Sequence, residues 1–360
     1  MPLLRMNRIL LRRARATATF TVLGLLAGLL LGVVLGRLDV DALPWPALRG
    51  LVIGGLIGTA VGVGEEVLVP LWSRRLSFRW LNAVRLAGYV LAMVGSLVGV
   101  NTVHRALVRD VGVVQAGAVY LGESPGRDLV AALVAAAVLI PLLQLKRLHS
   151  AGELWRLVTG RYHYPEEEER IFLFVDLVDS TTHAERLGAL MFSAFLRDLF
   201  RDVSEAILAW RGQVYQHLGD GVIISWPWHA GVRGASALRC YFEMARALDG
   251  RSAEYVGRYG VKPLLRGGLH GGTAVVTWVG EAKRELAFHG DTLNAAARIQ
   301  SQCKDLGVSF LVSSRVLEGL PLPGDLTKRS MGSVELRGRS EPVTLFAVQE
   351  SGAPSPPVPI

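Results

Sequence analysis

The chain of 360 residues has little charge and almost no cysteine. Only 19% of its residues are charged and 51% are hydrophobic, and a chain this apolar does not stay disordered. Its two cysteines, Cys240 and Cys303, exclude a disulfide framework and a four-cysteine zinc site. The length fits about two domains.

The excess of positive over negative charge lies in the first half of the chain. A net charge of +8 would suit a nucleic-acid-binding protein. However, residues 1–160 contain 17 basic and 8 acidic side chains, whereas residues 161–360 contain 22 and 23. The basic excess therefore lies in the half that also has the long apolar runs. We interpret it as a membrane-orientation signal and expect no nucleic-acid partner.

Four apolar runs in residues 1–145 predict a membrane domain of four transmembrane helices. The first has 21 uncharged residues, 16–36, which is about the length that crosses a bilayer core. The others cover 48–69, 86–103 and 129–145. Because three runs follow the first, a membrane anchor is a better interpretation than a cleaved signal peptide. Glycines recur at every fourth position in the first two runs, which is typical of closely packed transmembrane helices.

The charges of the loops predict how these helices are oriented. Basic residues cluster before the first run, between the second and third, and after the fourth, whereas the other two loops mix both signs. Cytoplasmic loops carry an excess of Lys and Arg, so the N-terminus and everything after residue 145 should be cytoplasmic. Glu65 and Glu66 interrupt the second run near its cytoplasmic end, where we expect them to reach toward water.

The rest of the chain predicts a connector, an α+β domain and a tail. Residues 146–169 should form a short connecting helix that Pro165 ends, with a solvated acidic run at 166–169. The Pro-rich segment 351–360 should be disordered. Between them, the residue patterns predict strands at 171–175, 213–218 and 222–226, a strand pair over 265–279, helices at 184–210, 230–248 and 292–304, and short strands after residue 310.

Two aspartates stand at positions where acidic residues are unexpected. Asp176 follows five apolar residues at the end of a predicted strand, and Asp220 lies in a Gly-Asp-Gly hairpin turn. If the two strands are neighbours, both carboxylates meet at one edge of the sheet. Such a pair suits Mg²⁺, which takes one or two carboxylates together with substrate phosphates. A lone Gly-Asp-Gly is usually only a turn, so this prediction depends on the other motifs.

Two further features suit phosphate and ribose. After Asp176 the chain turns into a helix whose free N–H groups can receive a phosphate. The residues of this turn are Val178, Asp179, Ser180 and Thr181. Asn294 and Arg298 are four residues apart and therefore lie on one face of a predicted helix. A neutral donor beside a guanidinium suits a ribose oxygen and a developing phosphate charge.

Together, these motifs resemble a known family. The segments FLFVDLVDSTTHAERLG, RGQVYQHLGDGVIISW, LRGGLHGGTAVV and FHGDTLNAAARIQ are similar to the successive signatures of class III nucleotide cyclases. The resemblance implies a ferredoxin-like α+β catalytic domain over 170–350 that is active as a homodimer, with sites in the interface. It implies a nucleoside triphosphate substrate and two Mg²⁺ or Mn²⁺ ions. The segment LVTGRYHYPEEEER is similar to the transducers of such domains, and the four spans are similar to the tetrahelical anchors of some bacterial members.

The resemblance assigns a role to each motif residue. Asp176, Asp220 and the backbone carbonyl of Leu177 fall on the metal-binding positions. Asn294 falls on the position that orients the ribose, and Arg298 on the one that stabilises the pentavalent phosphate. The implied reaction is in-line attack of a ribose 3′-OH on the α-phosphate, which expels pyrophosphate.

The substrate-binding positions depart from the family pattern. Arg337 lies where the family usually has a triphosphate-binding lysine, with Arg339 the weaker candidate. Gln216 replaces the base-reading lysine, and Ala287 replaces its aspartate or threonine partner. A glutamine amide both donates and accepts, and alanine offers no side-chain hydrogen bond. These two residues therefore do not select one base by themselves. ATP is the first expectation, GTP the second and a pyrimidine nucleotide the third. The altered base readers favour a non-catalytic nucleotide-binding regulator as the alternative to an enzyme.

Overall fold

The structure is a computed structural model that describes residues 2–36, 44–72, 78–123, 126, 130, 161–280, 285–334 and 342–352. The chain divides into two compact units, Met1–His149 and Ser150–Ile360. Four predicted features fall wholly or largely outside the described residues. They are the fourth span at 129–145, the connecting helix before residue 161, Arg337 and the tail after residue 352.

The described part of the first unit is helical. Its elements are α1 (Pro2–Gly36), α2 (Pro44–Val63), a π-helical turn (Gly64–Leu68), α3 (Val69–Trp72), α4 (Phe78–Arg109) and α5 (Val113–Glu123). Three stretches are long and apolar enough to cross a membrane, Arg13–Val34, Trp45–Leu68 and Trp80–Arg109, and they coincide with the first three predicted spans. Helix α5 lies where the sequence predicts only a loop, and its 11 residues are too few to span a bilayer.

Glycines bring α1 and α2 into backbone contact. A Cβ atom added to Gly28 would lie 2.0 Å from the carbonyl oxygen of Gly50, and one added to Gly54 would lie 2.1 Å from that of Gly24. No side chain fits at such distances, so glycine is required at these crossing points. The glycine spacing therefore serves helix packing, as the sequence predicts.

Replacing Gly54 with valine should separate α1 from α2. The hydroxyls of Thr21 and Thr59 lie 2.9 Å apart across this helix pair. A Thr21→Cys/Thr59→Cys protein should therefore form a disulfide on oxidation, and Gly54→Val should reduce its yield by about fivefold or more. Gly99→Val is the control, because a Cβ at Gly99 meets no atom within 4 Å. Equal cross-linking in both variants would contradict this packing.

A buried ion pair links α4 to the π-helical turn. Glu65 is only 8% exposed, and Arg85 donates to its Oε1 from Nη2 at 2.6 Å and from Nε at 3.2 Å. The expectation that Glu65 reaches toward water is wrong, because a guanidinium on the neighbouring helix compensates its charge. Charges inside a membrane protein are usually paired in this way.

The second unit is an α+β domain built on one sheet. Its elements are β1 (Glu166–Leu177), α6 (Ser180–Ala209), β2 (Gln213–Leu218), β3 (Gly221–Pro227), α7 (Trp228–Val232), a 3₁₀ turn (Arg233–Ala235), α8 (Ser236–Asp249), α9 (Ser252–Tyr259), β4 (Leu265–Val279), β5 (Glu285–His289), α10 (Asp291–Asp305), β6 (Phe310–Ser313), α11 (Ser314–Glu318), β7 (Leu326–Val334) and β8 (Val343–Glu350).

The sheet has the order β2-β3-β1-β4-β6-β8-β7, and β5 pairs with β4. Strand β1 is antiparallel to both β3 and β4, and β2 is antiparallel to β3. This arrangement, with α6 connecting β1 to β2, is the ferredoxin-like one that the sequence predicts. Both faces of β1 are buried: Leu173 and Val175 belong to the core formed with α6 and α8, whereas Phe172 packs against Phe288 on the other face.

Three predicted elements differ from the observed ones. The segment 265–279 is a single 15-residue strand, and its hairpin partner is β5. The acidic run 166–169 is the start of β1, where it pairs with β4. The predicted helix 230–248 is interrupted by a 3₁₀ turn, in which Gly234 has a φ of 62°. Each difference depends on a tertiary pairing or a backbone turn that local hydrophobic periodicity does not show.

Candidate active site

Asp176 and Asp220 meet where β1 ends beside the β2–β3 hairpin. Val175 pairs with Val222 across the β1–β3 ladder, so the next residue of β1 lies against the hairpin turn. A Cβ added to Gly221 would lie 3.0 Å from the Val175 carbonyl oxygen and 3.3 Å from Asp176 Oδ1. Glycine at this position therefore lets the turn approach the carboxyl group.

The neighbouring Asp220 destabilises the charged form of the Asp176 carboxyl group. Burial, a hydrogen bond to Asp220 and the charge of Asp220 raise the pKa of Asp176 to about 6 from its ordinary value near 3.8. The Leu177 N–H and the charge of Arg266 act in the opposite direction. The Oδ2 atom of Asp220 is buried and has no hydrogen-bond partner among the described residues. A divalent cation would compensate both charges and engage this oxygen, so the pair fits a metal ion.

Few other ligands surround this pair. No cluster of three or more His, Cys, Asp and Glu side chains occurs among the residues that the structure describes. A bound cation would therefore need backbone or substrate oxygens as well, and the Leu177 carbonyl is the predicted backbone ligand. Two carboxylates and one backbone carbonyl leave coordination positions open for substrate phosphates. Such a set of ligands is typical of Mg²⁺ or Mn²⁺, and not of a site in which the protein supplies every ligand.

The turn after β1 opens the N-terminus of α6. Asp179 has a left-handed backbone with a φ of 55°, and the helix begins at Ser180. The first N–H groups of a helix have no acceptor within it, so those of Ser180 and Thr181 suit a phosphate. The Val178 N–H instead donates to the Leu264 carbonyl at 2.9 Å. Because the Val178 N–H already has this acceptor, Ser180 and Thr181 are better candidates than Val178 for the predicted phosphate contact.

Asn294 and Arg298 lie one turn apart on α10. Asn294 is exposed and Arg298 is half-buried, whereas Ala295 and Ala296 between them are buried against the sheet. The helix approaches β4 closely, since a Cβ at Gly268 would lie 2.3 Å from the Gln300 nitrogen. The amide and the guanidinium are therefore presented on a helix that is held firmly against the domain.

The two candidate base-reading positions are carried on contacting strands. Gln216 is exposed on β2, and Ala287 is on β5. Their neighbours touch: the rings of Tyr215 and Phe288 have centroids 4.8 Å apart, and the Phe288 N–H points at the Tyr215 hydroxyl at 3.4 Å. The fold thus brings together two positions that are 71 residues apart in the sequence.

Within one chain, Asp176 and Asn294 lie at different places along β4. Asp176 pairs with Arg266 near the start of that strand, whereas Thr292, two residues before Asn294, donates its hydroxyl to the carbonyl of Thr273, seven residues further along β4. Such a division suits a site completed by a second subunit.

Two arginines that the sequence pattern did not single out lie near these groups. Arg266 lies opposite Asp176 across the β1–β4 ladder. Arg170 is buried in β1 and contacts β2, β3 and β5 with its own side chain. Sequence reasoning could have found Arg170, because a basic residue next to the apolar run of a buried strand indicates a paired charge. Unpaired charges are rarely fully buried.

The sheet topology and the paired carboxyl groups define an α+β domain with a two-aspartate site at one strand end. The family model described as the adenylate and guanylate cyclase catalytic domain matches residues 163–349. The chain belongs to this family, and the resemblance to class III nucleotide cyclases is confirmed.

Several known proteins are similar to this chain. Adenylate cyclase 2 of Rhizobium meliloti (strain 1021) is 33% identical over 220 residues, which cover 61% of each protein. Guanylate cyclase 2G of Mus musculus is 25% identical over 206 residues, which cover 56% of this chain and 18% of the relative. The chain thus matches about three fifths, or less, of the length of these relatives. The solved structure of a bacterial light-regulated adenylyl cyclase shares the fold, with a TM-score of 0.52 at 19% identity over 61% of this chain and 64% of that one.

Proposed function

We propose that the chain is a membrane-anchored nucleotide cyclase that converts a nucleoside triphosphate, ATP first, into a 3′,5′-cyclic nucleotide and pyrophosphate. The observation that carries the proposal is the meeting of Asp176 and Asp220 at one strand end, inside a domain of the cyclase family. The relative that is 33% identical bears the name adenylate cyclase, which favours ATP.

The metal side of the proposed site belongs to one subunit. Asp176, Asp220 and the Leu177 carbonyl would hold two Mg²⁺ or Mn²⁺ ions. When bound, such ions lower the pKa of the ribose 3′-hydroxyl and neutralise phosphate charge. The N–H groups of Ser180 and Thr181 would hold phosphate oxygens at the helix N-terminus.

The other side of the proposed site carries the transition-state groups. Asn294 orients the ribose so that its 3′-oxygen is in line with the α-phosphorus. As the bond between the 3′-oxygen and the α-phosphorus forms, the hydroxyl proton passes to solvent water. The bond between the α-phosphorus and the oxygen bridging to the β-phosphate breaks, and pyrophosphate departs with its electrons. Arg298 stabilises the negative charge that grows on the α-phosphate. Gln216, Ala287 and Arg337 are the candidate contacts for the base and the triphosphate.

The proposed assembly is a homodimer at a bacterial inner membrane. The three apolar helices favour a membrane anchor, and the loop charges favour a cytoplasmic N-terminus and catalytic domain. A fourth span at 129–145 would place both ends of this anchor on the same side. The division of the candidate residues into two groups favours active sites shared between subunits.

Purified full-length protein with Mg²⁺ or Mn²⁺ and each of the four nucleoside triphosphates tests this function. We expect cyclic product from ATP at the highest rate, because a relative that is 33% identical bears the name adenylate cyclase. A preference for GTP or for a pyrimidine triphosphate would support the proposed cyclase activity but change the proposed base of the substrate. Binding of nucleotide without product from any of the four would instead support the regulator. Arg298→Ala is the control for contaminating activity, since it removes the proposed charge stabilisation.

A further inference from the structure

Among the residues of the catalytic domain that the structure describes, the most deeply buried cation lies beneath the candidate base-reading strands. Arg170, in β1, is only 1% exposed. It donates from Nη1 to Glu168 Oε2 at 2.9 Å, and from Nη2 to Gln213 Oε1 at 2.9 Å and to Ser225 Oγ at 3.1 Å. Burying a guanidinium is costly unless it is paired and hydrogen-bonded. A guanidinium buried at this position, directly before the apolar residues 171–175, therefore calls for a role.

The same guanidinium also contacts β5. Its Cζ atom lies 4.6 Å from the centre of the Phe288 ring, an arrangement in which the ring attracts the cation. Phe288 in turn packs edge-on against Tyr215 at 4.8 Å. One side chain on β1 thus touches β2 through Gln213, β3 through Ser225 and β5 through Phe288.

These contacts flank both candidate base-reading positions. Ala287 immediately precedes Phe288 on β5, and Gln216 follows Gln213 by three residues on β2. The β2–β3 register shifts between Val214 and Gln216. A β-bulge of this kind re-aims the side chains beside it. The direction of Gln216 therefore depends on where β2 is anchored before the bulge, and Arg170 provides an anchor there.

The carboxylate partner of Arg170 is itself firmly held. Tyr162 donates its hydroxyl to Glu168 Oε1, and Arg161 donates to the same oxygen at 2.9 Å. Burial alone would raise the pKa of Glu168, but the hydrogen bonds from Tyr162 and Arg170 outweigh it and lower that pKa below its ordinary value. The Tyr162 carbonyl accepts a hydrogen bond from the Trp278 N–H at 3.3 Å, which ties this segment to β4.

We propose that Arg170 is a positioning residue for base selection: it holds β2 and β5 at the separation that places Gln216 and Ala287 against the base. The inference rests on the proposed function, because both positions are assigned to the nucleotide base. Arg170 is buried and does not touch the substrate, so it acts through the strands that it joins. Changing it should alter which base is preferred, and not only how stable the domain is.

The test compares Arg170→Met, Arg170→Lys and Gln213→Ala with the control Arg239→Met in the detergent-solubilised full chain. Arg239 also pairs in two hydrogen bonds, with Asp325 at 3.0 and 2.9 Å, and lies over the ring of Trp210. Lysine keeps the charge but lacks the planar fork that reaches several acceptors. Gln213→Ala removes one contact of β2 without leaving a buried charge unpaired, so it keeps the test valid if the Arg170 variants do not fold.

Two measurements are made on each protein. The first is the ratio of kcat/KM for the best and second-best triphosphates. The second is the ratio of dissociation constants for fluorescent N-methylanthraniloyl analogues of those two nucleotides. We expect both ratios to fall about tenfold in Arg170→Met and about threefold in Gln213→Ala, mainly through KM, because misplaced polar groups discriminate poorly between bases. In Arg239→Met they should stay within about twofold of the wild type, even if its melting temperature falls equally.

Each outcome bears on one proposal or the other. Ratios within about twofold of the wild type in every folded Arg170 variant and in Gln213→Ala would overturn the inference. An equal fall in Arg239→Met would also overturn it, since the effect would then be general destabilisation. A wild type that discriminates less than about tenfold between the two nucleotides has no selection of the expected size for Arg170 to set, which overturns the inference as well. Nucleotide binding without any cyclic product would refute the proposed function alone, and the dissociation constants would then decide the inference. Absence of nucleotide binding would refute both.

Discussion

Replacing Asp176 with asparagine should make the metal-free protein more stable at pH 8 and yet remove its cyclase activity. The expectation follows from the position of Asp176 beside Asp220, where burial and the neighbouring carboxyl group raise its pKa to about 6. At pH 8 the Asp176 carboxyl group is ionised although it is partly buried beside the Asp220 carboxyl group. Asparagine has a similar shape but no charge, and its amide can donate a hydrogen bond to Asp220.

The sign of the effect depends on pH. Because the pKa of Asp176 is higher in the folded than in the unfolded chain, its protonated form stabilises the fold. This stabilisation is fully present below about pH 4 and is lost as the pH rises through about 6. Asparagine cannot ionise, so the variant does not undergo this loss. The stability difference should vanish near pH 4 and reach about 2 kcal/mol at pH 8, or about 5 °C in melting temperature.

Thermal unfolding of the full chain in detergent between pH 4 and 8 measures this difference. Adding Mn²⁺ at pH 8 should stabilise the wild type, since a ligand of the folded state raises its stability, and should leave Asp176→Asn unaffected. The variant should lose at least about 10²-fold in cyclisation rate, because charge stabilisation of the phosphates is lost. Asp305→Asn serves as the control, since Asp305 is exposed at the end of α10. A variant that is less stable than the wild type at pH 8, or one that still cyclises at the wild-type rate, would contradict the carboxylate pair.

The parts of this site that sequence reasoning could predict are those with local signals. The spacing of Asn294 and Arg298 predicts a shared helix face, and the helix Asp291–Asp305 provides it. The apolar run before Asp176 and the Gly-Asp-Gly turn predict a strand end and a hairpin, and both are present. Their meeting is harder to predict, since it requires β1 and β3 to be neighbours, and the family resemblance supplied that expectation.

The parts that sequence reasoning missed depend on which residues face each other across the sheet. Arg170 reads as the polar start of a strand, and only the pairing of β1 with β3 shows it buried beside Ser225. The acidic run 166–169 reads as solvated because it is charged, yet β4 pairs with it along its length. The Val178 N–H is unavailable to a phosphate for the same reason, because the Leu264 carbonyl that accepts its hydrogen bond lies just before β4. Charge and hydrophobic periodicity indicate which residues are exposed, but they do not show which residues pair across the sheet.

Co-expressing Asp176→Ala with Asn294→Ala should restore activity that neither variant has alone. If each active site takes its aspartates from one subunit and Asn294 and Arg298 from the other, a mixed dimer has one site carrying both changes and one site carrying neither. Random association makes half of the dimers mixed, so the recovered rate should be about a quarter of the wild-type rate per dimer. The measurement is cyclic product from dimers purified through two different affinity tags, where every molecule is mixed and about half of the wild-type rate should return.

The combination of Asp176→Ala with Asp220→Ala is the matched control. Both changes lie on the metal side, so every site of the mixed dimer lacks one carboxylate and no activity should return. Rescue in this control would mean that the two aspartates belong to different sites, contrary to their contact within one chain. No rescue of Asp176→Ala by Asn294→Ala, in dimers that carry both tags, would place all four residues in one subunit. Asn294 would then have to orient the ribose of a nucleotide bound at the aspartates of its own chain. The separation of the two groups opposes this, because a complete active site needs both groups within reach of one nucleotide.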